Sequence, residues 1–146
     1  MIRRRLLHFG RPFTAVDRRV MVAPMRITRL DRVQLAMFIG GDDLACAFYN
    51  GALGIPARQK PATLAKRCGC WFERGELKIR RGVELDFRPA RTAHPACRLI
   101  DLPACIERLE ALGYKVRRGK PLQGFHRVDV GDPFDIRIEL IEPVST

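Results

Sequence analysis

Glu139 stands in the run DPFDIRIELIEP (132–143), between Ile138 and Leu140. An acid between apolar neighbours on an alternating strand is drawn out of bulk water and needs a partner, which makes it a candidate general base or metal ligand. His94, just ahead of Pro95 at the start of a second short run, adds an imidazole that can ligate a metal or carry a proton. Both have plain alternatives. His94 can be a satisfied structural histidine, and Glu139 can be held in a salt bridge by Arg137 or Arg32.

The elements that must position these groups follow from periodicity. LDRVQLAM (30–37) alternates as a strand, and DDLACAFYNGALG (42–54) places Leu44, Ala47, Phe48 and Ala52 on one helical face, with acids at its start and Gly54 at its end. A looser region with Pro56 and Pro61 precedes two strands, CWFER (70–74) and GELKIRRG (75–82). The plan then repeats. HPACRLID (94–101) is a short strand, and Asp101 is placed to cap a helix with Pro103 in its first turn, a stripe of Cys105, Ile106, Leu109 and Leu112, and Gly113 at its end. YKVRR (114–118), HRVDV (126–130) and DIRIELIE (135–142) supply three more strands.

The fold class is therefore α+β: two βαβββ modules, about 28–85 and 92–143, paired into a curled mixed sheet with helices on its outer face. Val33, Leu35 and Met37, Leu77 and Ile79, Cys97 and Leu99, and Ile136, Ile138 and Leu140 form the apolar face under the helices. The opposite face is a polar cup where His94, Glu139, Arg32, Lys78 and Arg80 can converge. Phe48 and Tyr49 read as core residues, and Arg80, Arg81, Arg117 and Arg118 as solvated edge-strand charges.

With 146 residues the chain has room for one domain with an ordinary core. No run approaches the eighteen or so consecutive apolar residues of a membrane span. The five cysteines are odd in number and follow no apolar leader, so a reducing cytoplasm is expected. Cys68-Gly69-Cys70 lacks a second Cys/His pair at zinc-site spacing, and Cys97 and Cys105 sit on apolar faces. Nearly half of the net charge of +11 comes from residues 1–24, where six arginines face Asp17 alone. That basic extension is read as disordered, as a targeting segment, or as sequence ahead of a start at Met21 or Met25, leaving 25–146 as the domain. Without an aromatic platform or Arg/Gly repeat, the charge argues weakly for a basic nucleic-acid-binding protein.

Four segments together resemble the vicinal oxygen chelate superfamily of glyoxalases, fosfomycin- and bleomycin-resistance proteins and extradiol dioxygenases: LDRVQLAM (30–37), AFYNGALGI (47–55), FRPARTAHPA (87–96) and DPFDIRIELIE (132–142). The likeness is nearest to the small glyoxalase-like proteins. It implies a divalent metal (Zn, Ni, Mn or Fe) held by a His on the first strand, a His opening the second module and a Glu on the last strand. His94 and Glu139 match the last two positions. Arg32 stands where the first His is expected, and a guanidinium has no lone pair for a metal. A fourth ligand position falls at Lys78, or at Glu76 in another register.

Two classes of function follow. One is a glyoxalase- or bleomycin-resistance-like binding protein with a degenerate metal site, holding a small anionic or oxygen-rich molecule through Arg32, Gln34, Lys78 and Arg98, with Arg32 in the metal's place and pairing with Glu139 or with the ligand. The other is a divalent-metal-dependent lyase, isomerase or dioxygenase with Glu139 as its catalytic group. The resemblance also implies a homodimer, with the cup formed within one chain or by exchange between two.

Overall fold

The computed structural model describes residues 26–144, so the expectations for residues 1–24 lie outside the described residues. The first strand, β1 (Val33–Met37), lies parallel to β4 (Leu77–Val83). Antiparallel pairings then add β3 (Cys70–Arg74) and the short β2 (Ala57–Arg58), which falls in the region read as loose. The second module repeats this with β5 (Ala96–Arg98) parallel to β8 (Arg137–Pro143), followed by β7 (Phe125–Gly131) and β6 (Val116–Arg118). The result is two four-stranded mixed sheets, ordered β1-β4-β3-β2 and β5-β8-β7-β6.

The first helix begins as α1 (Asp42–Ala45) and widens over Cys46–Ala52 into a π-helical segment. Its last turns are closed by bonds such as Leu53 N–H to the Phe48 carbonyl, five residues back. The inward face is Ala45, Phe48, Tyr49 and Ala52, with Leu44 and Ala47 exposed. That corrects the expected face of Leu44, Ala47, Phe48 and Ala52 to the neighbouring stripe, which keeps the same i, i+3, i+4, i+7 spacing. The second helix, α2 (Leu102–Ala111), is capped as expected by Asp101, whose side chain accepts the Ala104 N–H at 3.1 Å. Leu102 and Leu109 are its buried residues, whereas Leu112, expected in the stripe, is exposed beyond its end.

One contiguous apolar cluster draws on both modules: Met37, Phe48, Tyr49, Phe72 and Ile79 meet Leu109, Val128, Val130, Phe134, Ile138 and Leu140. The helices cover this side of the sheets, so the strand residues of opposite parity face the cup. Of the four arginines read as solvated edge charges, Arg80 and Arg81 are corrections. Their strand lies inside the sheet between β1 and β3; alternation turns Arg80 to the cup, its side chain mostly covered, and sends Arg81 to the core, where it is fully buried. There Nη1 lies 2.8 Å from Asp132 Oδ2, and Nη2 donates to the Ala36 carbonyl at 2.6 Å. The Tyr49 hydroxyl donates to the same Asp132 oxygen at 2.7 Å, while Asp132 Oδ1 accepts the Phe134 and Ile136 N–H groups. Arg81 and Tyr49 come from the first module and Asp132 from the β7–β8 connection, so a buried, hydrogen-bonded ion pair ties the modules together.

Gly69 accounts for the Cys68-Gly69-Cys70 spacing. Its φ is +112°, and a Cβ there would lie 2.1 Å from the Arg81 carbonyl oxygen, so only glycine lets the chain enter β3 beside β4. No helix among the described residues is long and apolar enough to cross a membrane.

Candidate functional site

Glu139 lies on β8 between Ala96 of β5 and Asp129 of β7, and its side chain is only 11% exposed. Its backbone N–H bonds the Pro95 carbonyl at 3.0 Å, which fixes the β5 entrance, and with it His94, against the acid. His94 Nε2 is 3.4 Å from Glu139 Oε2, while Arg127 Nη1 is 2.9 Å from Glu139 Oε1. Arg127 is itself anchored by its Nε, which donates to the Lys120 carbonyl at 2.7 Å. The other ring nitrogen of His94, Nδ1, is 2.6 Å from the Thr92 carbonyl. A carbonyl only accepts, so Nδ1 carries the hydrogen. Nε2 is then the lone-pair nitrogen of the neutral ring, or the donor to Glu139 when the ring is charged.

The remaining candidates lie elsewhere on the cup. Arg32 Nη1 bonds Asp31 Oδ2 at 3.0 Å, and Lys78 Nζ lies 3.5 Å from Asp31 Oδ1. Asp31 is exposed, its side chain about half accessible, and its carboxyl is held below the usual range first by the Arg32 hydrogen bond and then by the Lys78 charge. Arg32 therefore reaches Asp31, and the cation on Glu139 is Arg127. Glu76 points outward to Arg29 and is 87% exposed. Arg98 is exposed, its guanidinium 5.6 Å from the Phe125 ring. Gln34 lines an open groove of about 670 Å³ together with Leu35, Ala36, His94 and Ala96, which brings the edge of β1 to the entrance of β5.

The donor set does not fit a resident divalent metal. His94 and Glu139 supply two donors, Arg127 occupies one oxygen of the acid, and the first-strand position holds a cation paired with Asp31. Among the described residues, no group of three or more His, Cys, Asp or Glu side chains comes together to hold a metal ion. A catalytic metal site of this general kind uses three protein ligands with an open position.

Arg127 was missed in the sequence although its signal was present. Alternation along HRVDV puts Arg127 and Asp129 on one face, and the antiparallel register sets Asp129 opposite Glu139 and Arg127 opposite Ile141. The lone tryptophan, Trp71, was missed too: the Arg80 guanidinium lies 3.6 Å from its ring centroid, on the cup face of β3 and β4.

Neither a protein-family model nor a curated protein matches the chain. Solved structures do. A glyoxalase family protein from Bacillus anthracis is 36% identical, with a TM-score of 0.79, covering 83% of this chain and 99% of its own. A glyoxalase/dioxygenase from Nostoc punctiforme is 17% identical, with a TM-score of 0.70 over 85% of this chain and 97% of its own. The fosfomycin resistance protein FosX from Listeria monocytogenes is 16% identical, with a TM-score of 0.66 over 82% and 96%. The last two share the fold; the first shares sequence over nearly its whole length. The paired βαβββ modules, the polar cup and this identity place the chain in the glyoxalase family of the vicinal oxygen chelate superfamily.

Proposed function

We propose that this chain binds a small anionic or oxygen-rich molecule in the cup and handles it without a three-ligand metal centre, using the His94–Glu139 pair for proton transfer. The observation that carries the reading is the Arg127 guanidinium, 2.9 Å from Glu139 Oε1, where a metal-binding carboxylate would need that side free of a fixed cation. Arg127 compensates and orients the acid, and Thr92 sets the tautomer of His94. A ligand hydroxyl at the mouth of the pair would meet a proton acceptor in His94 Nε2 or Glu139 Oε2, which is what a general base must supply. Gln34, Arg32, Lys78 and Arg98 stay on as candidate ligand contacts around the same cup, with Gln34 and His94 sharing one groove.

A second reading, a divalent-metal-dependent lyase, isomerase or dioxygenase, draws on one observation. A ring N–H on a backbone carbonyl is how metal-binding histidines are usually oriented, and His94 has it.

One experiment addresses both. Wild type and Arg32→His are loaded with zinc, nickel, manganese or ferrous iron, desalted and measured for metal content. In parallel, wild type, Arg127→Ala and Glu139→Gln are screened by thermal shift against small carboxylates, phosphonates and diols. The reading expects a wild type well below one metal per chain, a gain in Arg32→His, and ligand shifts that the two cup variants weaken. About one metal per chain in wild type, lost in Glu139→Ala, overturns it in favour of the metal enzyme.

A further inference from the structure

Arg80 is the cup cation whose hydrogen bonds are not accounted for. Arg127 is taken up by Glu139 and Lys120, Arg32 and Lys78 by Asp31, and Arg81 by Asp132 in the core. The Arg80 side chain is only 19% exposed, yet it makes no hydrogen bond within 3.5 Å among the described residues, and its Nε is buried without a partner. Its acidic neighbour, Glu73, lies 3.7 Å from Nη2, an ion pair too long for a hydrogen bond. Arg98 also lacks such bonds, but it is exposed and water can satisfy it. A guanidinium that is mostly covered and unbonded calls for another acceptor.

Its setting shows what that acceptor would be. Register places Gln34, Arg80, Trp71 and Arg58 in one row across β1, β4, β3 and β2, and the burial of Ile79 and Arg81 on the other side assigns the row to the cup. Stacking on Trp71 holds the guanidinium by its face and leaves its in-plane N–H edge for a ligand. With Nε covered, the two terminal nitrogens are the fork on offer, and such a fork matches the two oxygens of a carboxylate or phosphate-type group. Gly82 makes room next to it for the Gln34 side chain: a Cβ there would lie 2.6 Å from the Gln34 amide nitrogen. From β3 across to β1 is two strand spacings, about 10 Å, and the groove at β1 continues to His94.

We infer that Arg80, laid flat on Trp71, is the oxyanion anchor of the cup, and that its ligand is a small molecule with a carboxylate or phosphate-type group at that end and an oxygen function reaching toward His94 and Glu139. This rests on the reading of the cup as a ligand site and names the class of ligand and the residue that selects it.

Trp71 is the single tryptophan, so its fluorescence reports on this spot directly. Malonate and inorganic phosphate are titrated at constant ionic strength, with chloride as the control. Wild type should show a saturable change with at least one oxyanion and none with chloride. Arg80→Gln should weaken that binding about tenfold or more, as loss of a charged two-point contact does. Arg80→Lys, which keeps the charge without the flat fork, should weaken it about threefold or more and serves as the test if Arg80→Gln does not fold. Arg118→Gln, on the exposed edge strand β6 and outside the cup contacts, should stay within about twofold of wild type. No saturable change in wild type, Arg80 variants that bind like wild type, or equal loss in Arg118→Gln overturns the anchor. The broader ligand-binding reading is judged apart from this, by the thermal-shift screen on the Glu139 and Arg127 variants.

Discussion

Arg127 and Glu139 meet on adjacent strands of the second sheet, Nη1 to Oε1 at 2.9 Å, with His94 on the other oxygen of the same carboxylate. The acid is nearly buried, and that contact compensates its charge. Replacing Arg127 by Ala leaves a mostly covered carboxylate without its guanidinium and with Asp129 opposite it in register. The expected cost is about 1–3 kcal/mol in urea unfolding. Arg127→Ala combined with Arg32→His should take up more metal than Arg32→His alone, because a fixed cation has left the acid. Equal uptake by the two variants would show that Arg127 does not govern the donor.

The bond between His94 Nδ1 and the Thr92 carbonyl makes a separate prediction about the proton. In the neutral ring, nitrogen NMR should find the hydrogen on Nδ1 and a bare Nε2. The bare Nε2 then faces Glu139 Oε2 at 3.4 Å. A ring protonated at Nε2 when neutral would remove His94 as a proton acceptor facing the cup.

The modules and the helix positions were legible because they rest on local patterns: alternation, caps, and a repeat of strand order; His94 and Glu139 were brought to one face by alternation and singled out by the resemblance. What stayed hidden depended on register or on long-range partners. Arg80 and Arg81 are neighbours in sequence and read as one charged pair, yet alternation sends one to the cup and the other to the core. The core assignment makes sense only with Asp132, fifty-one residues on, and Tyr49, thirty-two residues back, in place. Arg32 was matched to the first-strand metal position by homology, but its own neighbour Asp31 reaches it before Glu139 does. The inward stripe of the first helix, Ala45, Phe48, Tyr49 and Ala52, keeps the i, i+3, i+4, i+7 spacing, but the larger apolar Leu44 drew the expected face one residue aside.

The Arg81–Asp132 pair predicts an asymmetry between substitutions. Asp132→Ala strands a buried guanidinium and frees the N–H groups of Phe134 and Ile136, so a loss of about 3–5 kcal/mol is expected. Arg81→Met with Asp132→Asn removes both charges and should recover a good part of that loss. Chemical denaturation of the single and double variants measures the coupling. If Asp132→Ala cost less than about 1 kcal/mol, the pair would not be what holds the modules in place.

The cysteines supply a pH-dependent test of the first module. Burial, followed by the hydrogen bond and charge of Asp42, pushes the Cys70 thiol up to about 12, and its Sγ lies 3.4 Å from Asp42 Oδ1. Thiolate is the reactive form, so at pH 9 only about one Cys70 in a thousand is reactive. Cys68, two residues earlier, is exposed. Iodoacetamide at pH 8 should therefore label Cys68 well before Cys70, with the mass-spectrometric signal at Cys70 rising steeply as the pH approaches 12. Asp42→Asn removes a nearby negative charge, lowers the Cys70 pKa and should speed its labelling at a fixed pH. Labelling of Cys70 as fast as Cys68 at pH 8 would mean that the turn at Gly69 does not hold Cys70 against the first helix.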